Sequence, residues 1–206
     1  MILYGRNPVR EALRGRRRVL RAWAAEPFDW LSGVDVSSAT PGQIEERCGS
    51  PDHQGVCAEA EPYPYADARS LLEAEDALVV CLDQVQDPHN LGAVCRASAG
   101  AVEHIAVARV RNLADWLGEA KQAGAWAYGA EAGARVAYDQ PDYSGRVVLV
   151  LGSEGRGLRP RVAEACDELV ALPRRGQVES LNVSTAAAAL LYGILQFRKS
   201  ALDKGS

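Results

Sequence analysis

No uninterrupted apolar run in this chain of 206 residues approaches the roughly 18 needed to span a membrane. The opening Met1-Ile2-Leu3-Tyr4-Gly5-Arg6 carries no apolar h-region, so no secretory leader is expected, and the expected location is cytoplasmic. Cysteine is present without a pattern. Cys48, Cys57, Cys81, Cys95 and Cys166 are odd in number and form no Cys-x-x-Cys pair, which leaves a disulfide framework or a zinc site without support. Cys81 and Cys95 stand in apolar stretches and read as small core residues. The glycine-rich Gly152-Ser153-Glu154-Gly155-Arg156-Gly157 lacks the spacing of a dinucleotide fingerprint, and no Gly-Lys-Ser/Thr completes a phosphate loop. There is no internal repeat.

What is there suits one large domain or a domain with a smaller appendage. Apolar residues make up 48% of the chain, enough for a substantial core, and charged residues 24%. The formal net charge of −4 hides an asymmetry. Within residues 1–21, arginines 6, 10, 14, 16, 17, 18 and 21 face the single acid Glu11, a local balance of +6 that leaves −10 for the rest. A basic arm on an acidic protein can steer a polyanion to one place. An Arg-rich solvated helix face accounts for the same charges equally well.

Asn7-Pro8 reads as a cap and first helical residue for a short helix ending near Gly15. A strand follows over Val19–Ala24, then a capped helix from Thr40-Pro41 to Cys48-Gly49 and a strand over Gln54–Glu59. Together they predict a small α+β module over residues 1–60. The proline-punctuated Glu61-Pro62-Tyr63-Pro64-Tyr65 is the best boundary, dividing the chain into 1–65 and 66–206. Beyond it, buried-type strands are expected at Ala77–Leu82, Ile105–Val110, Val147–Leu151 and Glu168–Leu172. Helices are expected at Gly92–Ser98, Asn112–Ala123, Arg159–Cys166 and Val183–Phe197, with Ser200–Ser206 a frayed tail. Strands that lack polar alternation and alternate with helices indicate a parallel sheet covered on both faces, an α/β domain.

Three segments place polar residues and glycines just past such strands, where ligands bind in open α/β sheets. They are Leu82-Asp83-Gln84-Val85-Gln86-Asp87-Pro88-His89-Asn90-Leu91-Gly92-Ala93-Val94-Cys95-Arg96, then Leu151-Gly152-Ser153-Glu154-Gly155-Arg156-Gly157-Leu158, then Leu172-Pro173-Arg174-Arg175-Gly176-Gln177-Val178-Glu179-Ser180-Leu181-Asn182-Val183-Ser184. In this order they resemble the three signature motifs of the SpoU (TrmH-type) family of RNA ribose methyltransferases, over roughly residues 71–199. Tyr4-Gly5-Arg6-Asn7-Pro8-Val9 and His53-Gln54-Gly55-Val56 further resemble members with an N-terminal substrate-binding domain, a subgroup that includes enzymes acting on a guanosine of large-subunit ribosomal RNA.

The resemblance implies a C-terminal segment threaded into a deep trefoil knot, a small L30e-like (ribosomal-protein type) domain before it, a homodimer, and S-adenosylmethionine as cofactor without a metal. By motif position it assigns Gly152, Leu172 and Leu181 to cofactor contact, and Asn90, Arg96, Glu154, Ser180 and Asn182 to catalysis. Arg6, Arg10, Arg16, Arg17 and Arg18 are the expected RNA contacts. Glycine lets backbone approach a ligand closely, and leucines can flank an adenine ring. The resemblance makes Arg96 the base, but a guanidinium is too strongly basic to accept a proton readily, so Arg96 reads first as a clamp on phosphate or hydroxyl that can also take the proton. His89 reads as a loop residue. For Glu154 and Asn182, turn and helix capping is the plainer alternative.

One departure from the family pattern stands out. Ala97 runs almost directly into Ala99-Gly100-Ala101-Val102-Glu103-His104, leaving out about a strand and a helix, and the stretch from Ala25 to Trp30 is also short. The leading expectation is ribose 2'-O-methylation of ribosomal RNA. A transfer-RNA methylase of the same fold and a non-catalytic RNA-binding protein are the alternatives.

Overall fold

The computed structural model describes residues 1–15, 17–85, 90–91, 93–94, 106–173 and 181–204. They fall into two units, Met1–Pro64 and Tyr65–Ser206. In the first, strands β1 (Ile2–Tyr4), β2 (Val19–Ala24), β3 (Val36–Ser38) and β4 (Val56–Ala60) form a sheet in the order β1-β4-β2-β3. Only β2 and β3 are parallel. Helix α1 (Arg6–Arg14) packs Val9 and Ala12 against Leu3, Ala22, Val56 and Ala58, all buried. Helix α2 (Pro41–Cys48) covers Cys57 through Ile44. Its start is a reciprocal capping box between Thr40 and Gln43, and it stops at left-handed Gly49.

Two expectations here need correction. Helix α1 begins at Arg6, earlier than the Asn7-Pro8 signal places it, because Gly5 takes φ 89° and its N–H goes to Val56 O, freeing its carbonyl to accept from Val9 N. Pro8 then lies in the first turn, where its missing donor costs nothing. Gln54 and Gly55 form a left-handed turn ahead of β4, so that strand starts at Val56.

The second unit is built on five parallel strands, β5 (Leu78–Leu82), β6 (Trp126–Ala130), β7 (Val136–Ala137), β8 (Val147–Leu151) and β9 (Glu168–Ala171), in the order β5-β8-β6-β9-β7. Every residue of β8 is buried, since it pairs with β5 on one side and β6 on the other. One face of the sheet packs Val79, Val148 and Val150 against Trp116 and Leu117 of α3 (Leu113–Gln122) and Val162 of α4 (Pro160–Ala165). The other packs Val147, Leu149 and Leu151 against Ala187, Leu190 and Ile194 of α5 (Val183–Lys204). Helix α3 is capped by Asn112, whose side chain accepts from Ala114 N at 3.2 Å.

Strands β6 and β7 escaped sequence reading. Gly129, in the middle of β6, is required by close packing: an added Cβ would stand 2.6 Å from Leu169 Cδ2 and 2.8 Å from Leu158 Cδ1. Glycine lowers the strand signal, and the packing supplies what propensity lacks. Conversely, the apolar run expected as a strand at 105–110 forms none over its described residues 106–110. It is half exposed, with Val107 O bonded to Ala66 N rather than to a strand ladder. The last helix continues through Lys204 instead of fraying at Ser200. Of the helix expected at 92–98, Ala93 and Val94 are helical, as are Asn90 and Leu91 just before it, and positions 92 and 95–98 lie outside the described residues.

At the N-terminal ends of the parallel strands two arginines gather main-chain carbonyls. Arg146 donates to Leu72 O, Ala74 O and Ala123 O, and Arg198 to Asp76 O, Tyr143 O and Gly145 O. Nearby, Tyr128 and Tyr143 are buried with rings 4.8 Å apart and donate to Asp142 O and Tyr138 O. Burial pushes the Tyr128 hydroxyl up to about 12, and Tyr143 higher still. The folded state therefore holds protons that the unfolded chain releases near pH 10, so stability present below that pH falls as the pH rises toward 12. We expect the Tm of the wild type to drop across this interval more steeply than that of Tyr128→Phe, as read by circular dichroism.

Candidate functional site

The chain leaves the C-terminal ends of three neighbouring parallel strands at Gly152 (after β8), Glu131 (after β6) and Leu172 (after β9). With Leu181, just ahead of α5, these residues border a cavity of ≈ 480 Å³, in the size range of small-molecule sites. Leu151, Val170, Val183 and Leu190 complete the apolar walls. Glu131, Glu154 and Arg156 bring charge to it.

Strand β8 turns sharply into this cavity. A Cβ on Gly152 would overlap the backbone of Gly157 and Leu158, so the loop folds back on its own start only because position 152 is glycine. Gly157 N donates to Ser153 O at 2.9 Å, closing a miniature antiparallel bridge. Gly155 (φ 77°) and Gly157 (φ 68°) take left-handed turns that few side chains tolerate. The result exposes Glu154 and Arg156 at the loop tip and buries Leu158 in the core.

The loop's exit is fastened to the start of the first motif. Asp83 is 1% exposed. Its carboxylate accepts from Arg159 N at 2.9 Å and Arg159 Nε at 2.8 Å, with Arg159 Nη2 at 2.6 Å, while Asp83 N donates to Leu151 O. These bonds hold the Arg159 guanidinium above its ordinary pKa. A buried carboxylate with this many donors is satisfied, and removing Arg159 would leave it uncompensated.

Asn182 joins the three motifs. Its Oδ1 accepts from Ser184 N (2.8 Å) and Ser184 Oγ (2.6 Å), capping α5. Its Nδ2 donates to Asn90 Oδ1 at 3.1 Å and to Glu154 Oε2 at 3.4 Å. Capping and convergence are thus the same residue's work, and both amide ends are used. Asn90, Glu154 and Asn182 are brought together, and Gly152, Leu172 and Leu181 line one cavity. Arg96 and Ser180, together with His89, lie outside the described residues, as does Arg16. Glu131 and the Asp83–Arg159 pair were not anticipated. Asp83 stands within the first segment and Arg159 directly after the second, yet neither carried a signal of its own, and Glu131 had none because β6 was unread.

In the N-terminal unit, Arg6 is already engaged. Its Nη2 lies 2.7 Å from Glu26 Oε1, its Nε donates to Gln54 O, and its guanidinium stacks 4.8 Å from the Phe28 centroid. Arg10 stacks over Trp30 at 5.1 Å, and Arg17 contacts Met1 Sδ. Arg18 is exposed. Among the described residues, no cluster of His, Cys, Asp and Glu could hold a metal ion, and no helix is long and apolar enough to cross a membrane.

Fold and cavity define an α/β protein with an open cavity at the carboxyl ends of a parallel sheet. Comparison sharpens this. Residues 96–192 match the SpoU rRNA Methylase family, and residues 2–66 match a domain described as RNA 2'-O ribose methyltransferase substrate binding. A Bacillus subtilis (strain 168) protein assigned to the TrmH family of tRNA/rRNA methyltransferases, YacO, is 34% identical over 236 residues, covering 94% of each chain. A Staphylococcus haemolyticus (strain JCSC1435) protein of the same family assignment is 30% identical over 245 residues, covering 98% of each. The chain belongs to the SpoU (TrmH-type) family of RNA methyltransferases. The fold is shared with the SpoU methyltransferase AviRb of Streptomyces viridochromogenes, solved with AdoMet (TM-score 0.79, 21% identity, 97% of this chain and 91% of that one). It is shared also with an AdoMet-bound rRNA methyltransferase of Sinorhizobium meliloti (TM-score 0.76, 24% identity, 95% and 86%). The first motif up to Cys95 precedes the span matched to the methylase family.

Position 152 offers a direct check of the loop geometry. Gly152→Ala forces backbone apart rather than a flexible side chain, so urea unfolding should show a loss of about 1–3 kcal/mol.

Proposed function

We propose that this chain transfers a methyl group from S-adenosylmethionine to a ribose 2'-hydroxyl of structured RNA, a guanosine of large-subunit ribosomal RNA above other targets. The observation that supports it most is the convergence of Asn90, Glu154 and Asn182 beside a cavity lined by Gly152, Leu172 and Leu181. The residues present suit the cofactor: leucines to flank a planar base, main chain close at hand beside Gly152, and carboxylates toward a cationic ligand. When bound, S-adenosylmethionine supplies a methyl group on positively charged sulfur.

Leu172 and Leu181 hold the adenine, and the backbone at Gly152 keeps it in place. Asn182 orients Asn90 and Glu154 by its two donated hydrogen bonds, leaving their remaining acceptors for substrate. Arg96, outside the described residues, grips the phosphate beside the target ribose, and the proton that the 2'-hydroxyl gives up on methylation passes to Arg96 or to water. Two parallel hydrogen bonds fix that ribose for in-line transfer. Ser180 takes the remaining polar place in the third motif. Residues 1–65 form the substrate-binding domain, of the small ribosomal-protein type, whose Arg10, Arg16, Arg17 and Arg18, with Arg6, contact RNA backbone. The catalytic unit, 66–206, threads its C-terminal segment into a knot and works as a homodimer. Exposed Tyr192 (71%) and Leu195 (47%) on α5 support a second copy there. The family assignments of the relatives span both tRNA and rRNA.

Incubation of the full chain with methyl-labelled S-adenosylmethionine and total RNA, followed by nucleoside analysis, tests the reading. Label in 2'-O-methylguanosine of large-subunit RNA is expected. Label confined to tRNA would move the substrate, and RNA binding without any label would leave a binding protein.

A sharper test addresses Arg96. Arg96→Lys keeps the charge and loses the fork geometry, and Arg96→Ala loses both. Single-turnover transfer with saturating RNA and cofactor should fall at least about a hundredfold in each, with cofactor affinity little changed. Wild-type rates in both variants would remove Arg96 from the mechanism.

A further inference from the structure

Glu131 lies in no motif, yet it occupies the cavity wall between the two strand ends assigned to the cofactor. Its backbone is held: Glu131 N donates to Val170 O at 3.0 Å, and Ala134 N returns to Glu131 O at 3.1 Å. Its carboxylate stands over the second-motif loop, with Oε2 3.1 Å from where a Cβ on Gly157 would be. Glycine at 157 is therefore needed twice, for its left-handed φ of 68° and for the room it gives this carboxylate. Glu154 is tied to Asn182. The Glu131 carboxylate, by contrast, has no hydrogen bond or ion pair among the described residues, although it borders a largely apolar cavity. A half-buried carboxylate without a protein partner is matched to something that enters.

We propose that Glu131 binds the vicinal hydroxyls of the cofactor's ribose. The inference rests on the cofactor reading above and adds the residue that recognises the sugar. Position carries the choice of group. Ala130 pairs with Val170, two residues before Leu172, so Glu131 rises beside the wall assigned to adenine. The ribose is bonded directly to that base, whereas the methionine ammonium lies several bonds further on. The other charged wall, Glu154 with Asn182 and Asn90, is left to the reacting end. Chemistry agrees, because two carboxylate oxygens can accept from two adjacent hydroxyls, and bonds from hydroxyls to an ionised acceptor are the stronger kind.

Calorimetry on the full chain decides it with three non-reacting probes. They are S-adenosylhomocysteine, 5'-methylthioadenosine (which lacks the amino-acid part), and the 2',3'-dideoxy form of the latter. Glu131→Ala should weaken the first two alike, by about tenfold or more, and leave the dideoxy probe as the wild type binds it. Glu131→Gln, which keeps one accepting oxygen, should fall between. Loss confined to S-adenosylhomocysteine would put the carboxylate at the ammonium and overturn the assignment. Equal loss of all three, or none of any, would overturn it too. A wild-type chain that binds none of the probes would overturn the cofactor reading itself, and this inference with it.

Discussion

Where a side chain on residue 152 would stand, the backbone of Gly157 and Leu158 already stands. Much of the site follows from that contact. Because the loop returns so tightly onto the end of β8, Glu154 and Arg156 are carried out to the rim while Leu158 drops into the core. The next residue, Arg159, is delivered within reach of buried Asp83 on the neighbouring strand end. The first and second motifs are thereby fixed to each other through a carboxylate almost wholly shielded from water. A wider loop would break that pairing and separate Glu154 from Asn182, so a residue without a side chain sets the position of the charged ones that follow it.

The polar groups around the cavity sort into those already satisfied and those left open. Asp83 and the Asn182 amide use their hydrogen-bonding capacity within the protein and act as supports. Among the described residues Glu131 and Arg156 keep theirs, which suits the proposed binding of a charged, multiply hydroxylated cofactor and an RNA backbone. Preorganised supports let open groups bind without first rearranging, which is where a rigid sheet edge surpasses a free loop.

Much of this arrangement was legible in sequence, and the exceptions have physical causes. Strands β5 and β8 announce themselves as unbroken apolar runs, and β9 as the apolar stretch that follows Glu168. The helices carry caps at Thr40 and Asn112 that a reader can see. Strand β6, Trp126-Ala127-Tyr128-Gly129-Ala130, does not, because its glycine and alanines are small to admit Leu158 and Leu169. Tertiary packing wrote that segment, and with it went Glu131. The opposite error, a strand over 105–110, came from apolar residues whose described part has no ladder partner. At the site, motif order led to Gly152, Glu154, Leu172, Leu181 and Asn182, whereas the Asp83–Arg159 pair depends on a fold-back that no spacing rule encodes.

The six carbonyls gathered by Arg146 and Arg198 lie at the end of the sheet away from the cavity. The starts of β5, β6 and β8 are thus locked by cations that reach backbone, while the opposite end of the sheet borders the cavity. Anchorage and recognition are separated by the length of a strand. Loops at the receiving end can therefore be lengthened, shortened or recharged through descent without loosening the end that bears the load, which gives a family of this architecture room to exchange one nucleic-acid target for another.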